Sequence, residues 1–272
     1  MSTDKRTIKP AKERLDVLLV ERGLLESREL ARRFIMAGEV TVNGQMIDKP
    51  GTRVAVDSEL DVKAERRFVS RGGEKLEAAL SAFPVAVTDA TCADVGASTG
   101  GFTDCLLQRG AALVYAIDVG YGQIDHKLRI DPRVVVMERV NARYLESLER
   151  PVSVVSIDAS FISLRLLLPV IKKWLMPQAD VIPLIKPQFE AGRHDVGKGG
   201  VVKSAEIHRR VLTEVLTAAQ EIGFAVNGVI RSPLKGPAGN IEFLAWLRVG
   251  AEVGAGDVER MITAAVDAGE VD

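Results

Sequence analysis

"TCADVGASTGGFTD", residues 91–104, runs from an apolar strand-like segment, across three glycines, into the start of a helix-like one. Glycines at such a junction permit a tight turn and a close ligand approach to the backbone, and the helix that follows offers unpaired N–H groups. The dinucleotide fingerprint at a strand–helix turn is G-x-G-x-x-G. Here Gly96 is followed by Gly100 and Gly101, which breaks that register. Asp94 opens the loop, and Asp118 closes the next strand-like run 22 residues after Gly96, where a carboxylate can accept both hydroxyls of a nucleoside ribose. Acid, glycines and second acid fit an adenosyl-methionine donor better than a nicotinamide dinucleotide.

The surrounding pattern supports that turn. From residue 91, the apolar runs "TCADVGA", "ALVYAID", "RVVVMERV", "VSVVSIDAS" and "ADVIPLIK" alternate with helical stretches. Buried strands separated by helices predict a doubly wound α/β sheet. "SAEIHRRVLTEVLTAAQEIGF" places Ile207, Val211, Val215 and Ile222 on one helical face, with His208 on its polar side. "AVNGVIRSP" and "NIEFLAWLRV" then follow as two successive strands, an antiparallel pair at the sheet edge. A plain dehydrogenase sheet does not end that way; a Rossmann-like class I methyltransferase sheet does.

Residues 14–62 have a different character. "RLDVLLVERG" spaces Leu15, Leu18 and Leu19 for a helix that Gly23 ends. In "ESRELARRFIMAG", Ser27 is the N-cap, Leu30, Phe34 and Ile35 the buried face, and Gly38 the stop. "EVTVNGQMIDKP" alternates around Asn43-Gly44, a pair suited to a tight hairpin turn with positive φ at both positions. Two short helices and a hairpin make a small α+β recognition module. Its basic residues include Arg14, Arg22, Arg28, Arg32, Arg33 and Lys49. The expected organisation is a small domain over 1–62, a linker over 63–74 holding Arg67, Arg71 and Gly72-Gly73, an α/β domain over 75–250, and an acidic, helical tail over 251–272.

The totals exclude several classes. The chain has 272 residues and a net charge of −1, but residues 1–75 carry 16 basic against 13 acidic groups, and the last 22 residues carry 1 against 6. The front is therefore mildly basic, which favours a polyanionic partner. No apolar run reaches the roughly 18 residues of a membrane span, and the first residues lack the apolar core of a signal peptide. Cys92 and Cys105 have neither metal-ligand nor disulfide spacing and are expected in the core. His126, His194 and His208 form no triad. The expectation is a soluble protein of a reducing, cytoplasmic compartment. "GRHDVGKGG" has the spacing of a phosphate-binding loop, but Gly199 stands where Ser or Thr would hold magnesium; it is expected to be a mobile loop over the site.

Four polar residues remain at strand ends or next to the sheet. Asp158 ends one apolar run, Lys186 ends the next, Glu242 lies in the last strand and Lys75 precedes the first. Open α/β sheets bind ligands along the edge where such residues collect. With these in view, the chain resembles the hemolysin A-like (TlyA-type) ribosomal RNA 2′-O-methyltransferases, an S4-type RNA-binding domain joined to an FtsJ/RrmJ-type methyltransferase. "VSRGGEKL", "DVGASTGGFTD", "DVGYGQ", "NAR", "DASFISL", "KPQFE", "GKGGVV" and "GNIEFLAWL" occur in that family's order.

The resemblance implies a catalytic tetrad of Lys75, Asp158, Lys186 and Glu242. It places S-adenosyl-L-methionine on Asp94, Gly96, Ala97, Ser98, Thr99, Gly100, Gly101 and Phe102, with Asp118 at the ribose and Asn141 near the adenine. It implies ribosomal RNA or ribosomal subunits as partner; the basic residues Arg14, Arg22, Arg28, Lys49, Arg67 and Arg71 are the candidate RNA contacts, and the chemistry needs no metal. The expected chemistry is in-line transfer of a methyl group to a ribose 2′-hydroxyl, cytidine by family resemblance, with Lys186 nearest the hydroxyl. A pseudouridine synthase would share the S4-type module but not the donor loop. A membrane-acting haemolysin is suggested only by the family's historical name.

Overall fold

The computed structural model describes residues 11–62, 67–192, 194–236, 238–250 and 257–268. The chain divides into two compact units, Met1–Glu65 and Arg66–Asp272.

The first unit runs β1 (Lys12–Arg14), α1 (Leu15–Glu21), α2 (Arg28–Met36), β2 (Val40–Val42), β3 (Gln45–Met46), β4 (Arg53–Ala55) and β5 (Leu60–Val62). β1 pairs with β4, and β2 lies between β3 and β5, all antiparallel. Asn43 and Gly44 take φ of 52° and 77°, the left-handed pair that the two-residue turn needs. Ser27 caps α2 by accepting the Leu30 N–H at 3.2 Å. Leu15, Leu18, Leu19, Ala31, Phe34, Ile35 and Val40 form a separate small core; Leu30, expected in it, only borders it.

The second unit runs α3 (Gly72–Ala82), β6 (Thr91–Val95), α4 (Gly101–Gln108), β7 (Leu113–Asp118), α5 (His126–Arg129), β8 (Val134–Glu138), β9 (Val152–Ile157), α6 (Leu164–Ile171), β10 (Leu175–Ile185), α7 (Pro187–Glu190), α8 (Ala205–Glu221), β11 (Ala225–Arg231), β12 (Phe243–Val249) and α9 (Val258–Asp267). Its seven-stranded sheet has the order β11-β12-β10-β9-β6-β7-β8. β12 is antiparallel to both neighbours, so the last strand inserts one place in from the edge and leaves β11 outside. The period of two is visible in the packing. Ala93, Val95, Tyr115, Ile117, Val155 and Ile157 face α6, α8 and α9, while Cys92, Val114, Ala116 and Val154 face α3 and α4. Both faces are covered, which is why these strands read as continuous apolar runs. Burial pushes the Cys92 thiol up to about 12 and raises that of Cys105, so both behave as core hydrophobes.

Three expectations are corrected. The linker is shorter than 63–74: Phe68 is 2% exposed in the core beside α3 and α4, Val69 N–H donates to Asp104 Oδ2 at 2.8 Å, and Gly72 already begins α3. Residues 63–66 lie outside the described residues. The C-terminal segment is more than a tail, because Ile262, Ala265 and Val266 of α9 belong to the main core. His208 is not on a polar face. It is 2% exposed, its Nε2 lies 3.1 Å from the Val202 carbonyl, and its ring meets Phe243 edge-on at 5.5 Å. The buried stripe of α8 runs through 208, 211, 212, 215, 216 and 219; of the four residues expected on it, Val211 and Val215 belong, while Ile207 and Ile222 are only partly buried.

His208 therefore carries a pH signature. Burial lowers its pKa below the usual imidazole value, opposed by the Val202 hydrogen bond. A depressed folded value means that its contribution to stability is present above about pH 6.5 and is lost as pH falls through that lower value. His208→Gln keeps an N–H for Val202 but cannot be protonated. Thermal denaturation between about pH 7 and pH 5 is expected to show a shallower decline for the variant than for the parent chain; parallel declines would remove this role.

Candidate active site

Parallel strands β9 and β10 bring their carboxyl ends to one edge, which puts Asp158 and Lys186 side by side immediately after Ile157 and Ile185. β12 runs the other way, so its beginning lies at that same edge, and Glu242 is the residue just before it. Lys75, in the first turns of α3, completes the set. Four segments far apart in sequence thus line one cavity of about 790 Å³.

The four groups form two pairs. Lys75 Nζ lies 2.5 Å from Glu242 Oε2, with the lysine side chain 11% and the carboxylate 1% exposed. Gln188 Nε2 donates to the other oxygen, Glu242 Oε1, at 3.3 Å. Lys186 Nζ lies 2.7 Å from Asp158 Oδ1. Its aligned hydrogen bonds go to Ser160 Oγ at 2.9 Å and the Asp158 carbonyl at 3.3 Å, so the approach to Oδ1 is a close ion pair. Burial raises the Asp158 carboxyl above the usual carboxylate range, and Lys186 and Lys75 act against that shift. A raised carboxyl beside a lysine is a workable proton acceptor.

The glycine loop lies against this edge. Asp158 N–H donates to the Val95 carbonyl at 2.8 Å, and a Cβ on Gly96 would meet the Asp158 carbonyl oxygen at 2.7 Å. Gly101 presses on Ser70 and Gly73, and Gly100 on Leu128. These glycines were expected to admit a ligand to the backbone; what the structure shows is that they admit other parts of the protein to it. Ser98, with φ of 49°, donates its N–H to Asp118 Oδ2 at 2.8 Å, while Gly120 N–H reaches Oδ1 at 2.6 Å. Each oxygen of Asp118 keeps a further lone pair.

Not every expected contact lies at the cavity. Gly96, Ala97, Ser98, Thr99, Gly101 and Phe102 line it. Asp94 is fully buried and accepts from Thr103 N–H at 2.9 Å, Thr103 Oγ1 at 2.7 Å and Ser156 Oγ at 3.3 Å. It caps α4 from the preceding strand end, and burial pushes it up to about 7. Asn141 is exposed and caps the short turn Ala142–Tyr144 by accepting from Arg143 N–H at 3.0 Å. Sequence reasoning missed Asn240, Glu190 and Phe161. Asn240 holds the loop expected to be mobile, accepting from Val202 N–H and donating to the Gly200 carbonyl, both at 2.9 Å. Glu190 accepts from Ser163 Oγ and Leu164 N–H, tying "KPQFE" to the start of α6. Phe161 is 90% exposed at φ of 64°, 4.8 Å from Phe189 at the cavity wall. Their signal was recurrence inside the quoted motifs, which carried no role for them.

In the first unit, the arginines do structural work. Arg14 makes two 2.9 Å bonds to Asp16, and Arg28 adds a third at 3.2 Å. Together they hold the Asp16 carboxyl below its usual range against the cost of burial. Arg22 donates to the Ser58 and Val56 carbonyls. Arg67, in the second unit, pairs with Glu77 at 2.8 Å. Lys49, Arg32 and Arg33 are exposed and make no ion pair among the described residues. Arg22→Ala is accordingly expected to destabilise the domain by about 0.5–1.5 kcal/mol and so to lower its melting temperature. Lys49→Ala should leave it unchanged; equal thermal shifts for the two would contradict this division.

The Gly96 contact gives a sharper test. Gly96→Ala would place its methyl on the Asp158 backbone at a φ of 85°. The substitution is expected to cost about 1–3 kcal/mol; an unchanged melting temperature would show that Asp158 tolerates displacement.

Comparisons with known proteins agree with this geometry. Residues 68–249 match the FtsJ-like methyltransferase model, and residues 13–60 match the S4 domain. YqxC of Bacillus subtilis (strain 168), named as an rRNA methyltransferase, is 53% identical over 87% of this chain and 85% of its own. The 16S/23S rRNA (cytidine-2'-O)-methyltransferase TlyA of Mycobacterium tuberculosis is 50% identical over 86% of this chain and 89% of its own. A solved, hemolysin-named structure from Streptococcus thermophilus superposes with a TM-score of 0.71 at 47% identity, covering 94% of this chain and 96% of that one. The chain belongs to the FtsJ-like methyltransferases, in their TlyA-type (hemolysin A-like) branch, which carries an S4 domain ahead of the catalytic unit.

Proposed function

We propose that this enzyme transfers a methyl group from S-adenosyl-L-methionine to a ribose 2′-hydroxyl of ribosomal RNA, at a cytidine as in the TlyA relative, on one or both subunits. The observation that carries this reading is the pair of lysine–acid contacts, Lys75–Glu242 and Lys186–Asp158, around one cavity beside the glycine loop. The donor fits the residues present: a cavity of about 790 Å³ is of the size that small-molecule sites use, and Asp118, outside its lining but bonded to Ser98 within it, retains acceptor capacity for two ribose hydroxyls. When bound, the donor supplies a methyl already activated by its sulfonium.

The chain's own residues then have two tasks. They align the acceptor oxygen, and they remove one proton. Lys75, fixed by Glu242, which Gln188 holds in turn, orients the incoming ribose. Lys186 stands nearest the hydroxyl. As its Nζ takes the hydroxyl proton it passes one of its own to Asp158 Oδ1, so the lysine keeps its charge and the carboxyl ends protonated. Burial of Asp158, which raises its affinity for a proton, favours that final state. Ser160 and the Asp158 carbonyl keep the lysine in place throughout. The S4 domain supplies RNA affinity through exposed cations such as Lys49.

Two substitutions test the chemistry. Lys186→Ala is expected to bind donor almost normally by calorimetry while losing about 10²-fold or more in transfer. Full turnover by the folded variant would remove Lys186 from the mechanism. Because Asp158 must be ionised to accept the proton and its pKa is raised, kcat/KM should climb with pH through a limb above the ordinary carboxylate range. Asp158→Asn should abolish that limb together with most of the rate. Mapping 2′-O-methyls on ribosomal RNA after incubation with the wild-type enzyme tests the assignment itself.

A further inference from the structure

Six charged side chains line the cavity: Arg71, Lys75, Lys186 and Lys235 against Asp158 and Glu242. Lys75 and Lys186 are each paired with one of the acids. Arg71 and Lys235 are exposed and make no ion pair among the described residues. The interior is therefore self-neutralised, and the mouth keeps two positive charges. Lys235 sits beside the Lys75–Glu242 pair, and Arg71 precedes Gly72, where a Cβ would lie 3.9 Å from Asp158 Oδ2. Arg71 lies immediately before α3, four residues ahead of Lys75. Lys235 precedes Gly236, whose Cα packs so closely on Glu242 that a Cβ would meet Oε1 at 2.5 Å. Neither residue belongs to the glycine loop.

We propose that Arg71 and Lys235 form a two-point clamp for the backbone phosphates on either side of the target nucleotide, with Lys235 a positioning residue for the acceptor strand. A nucleotide inside an RNA strand is flanked by two phosphates with one negative charge each, which matches the cations left over at the mouth. An exposed lysine or arginine contacts phosphate without reading sequence. Holding the strand at two points at the mouth delivers the ribose to the paired lysines, and because both contacts are made equally before and during transfer they lower KM without changing kcat. This inference rests on the RNA-methylating reading above, and its test keeps the two apart.

The experiment uses the full chain, Lys235→Ala, Arg71→Ala and the conservative Lys235→Arg, with ribosomal RNA as the probe. Binding is titrated at several salt concentrations, donor affinity is measured separately, and transfer is measured as kcat and KM. Each alanine variant is expected to reduce the log–log salt slope of RNA binding by about 0.7–0.9. Each should raise the KM for RNA roughly five- to tenfold with little change in kcat, and Lys235→Arg should restore most of the loss. Unchanged slopes, or a loss of donor affinity in place of RNA affinity, would overturn the clamp. Absence of 2′-O-methylation by the wild-type chain would instead overturn the functional reading, while the binding slopes still decide the clamp.

Discussion

The site depends on one close approach: the backbone after β6 lies against the backbone after β9. Parallel pairing of these strands carries Val95 beside Ile157, and the Asp158 N–H to Val95 carbonyl bond extends that pairing one residue beyond the sheet. Only a residue without a Cβ fits at position 96, where the Asp158 carbonyl would lie 2.7 Å from it. The glycine loop and Asp158 are thus placed by the same contact. A shift of either would move the other.

Around that contact the protein manages an electrostatic cost. Isolated buried charges are expensive, and a buried pair whose partner is removed leaves an uncompensated charge that costs about 3–5 kcal/mol. Lys75 and Glu242 meet this by direct pairing with a supporting amide, and Lys186 by an acid, a hydroxyl and a carbonyl. The arrangement leaves the four side chains fixed around the cavity, the pre-organisation that orientation-dependent catalysis requires. Asp94 and Glu190 extend the same scheme outward. Both are buried carboxyls raised by desolvation; Asp94 accepts from the first turn of α4, whose Gly101 and Phe102 line the cavity, and Glu190 from the start of α6.

The first unit uses its charges differently. Asp16 is buried under Arg14 and Arg28, and Arg22 closes the turn before β5. In so small a domain, with a core of a few leucines, isoleucine and phenylalanine, such contacts hold the short strands in register. Lys12, Arg32, Arg33, Lys49 and Arg53 are left exposed, with no ion pair among the described residues. A list of basic residues does not make that distinction.

The sequence alone determined the sheet, the two domains and the hairpin at Asn43-Gly44, because each rests on local periodicity or turn chemistry. Strand runs buried on both faces and the out-of-register glycines at 96, 100 and 101 were enough to separate this fold from a dinucleotide-binding one. What a side chain touches depends on segments far away in the chain, and only the tertiary structure decided that. It turned Asp94 from an expected ligand contact into a helix cap, gave Asn141 a turn to close, buried His208 against Phe243, and drew Phe68 out of an expected linker into the core. It also showed why Glu242 belongs with residues at the ends of parallel strands. β12 runs opposite to them, and its beginning lies where they finish.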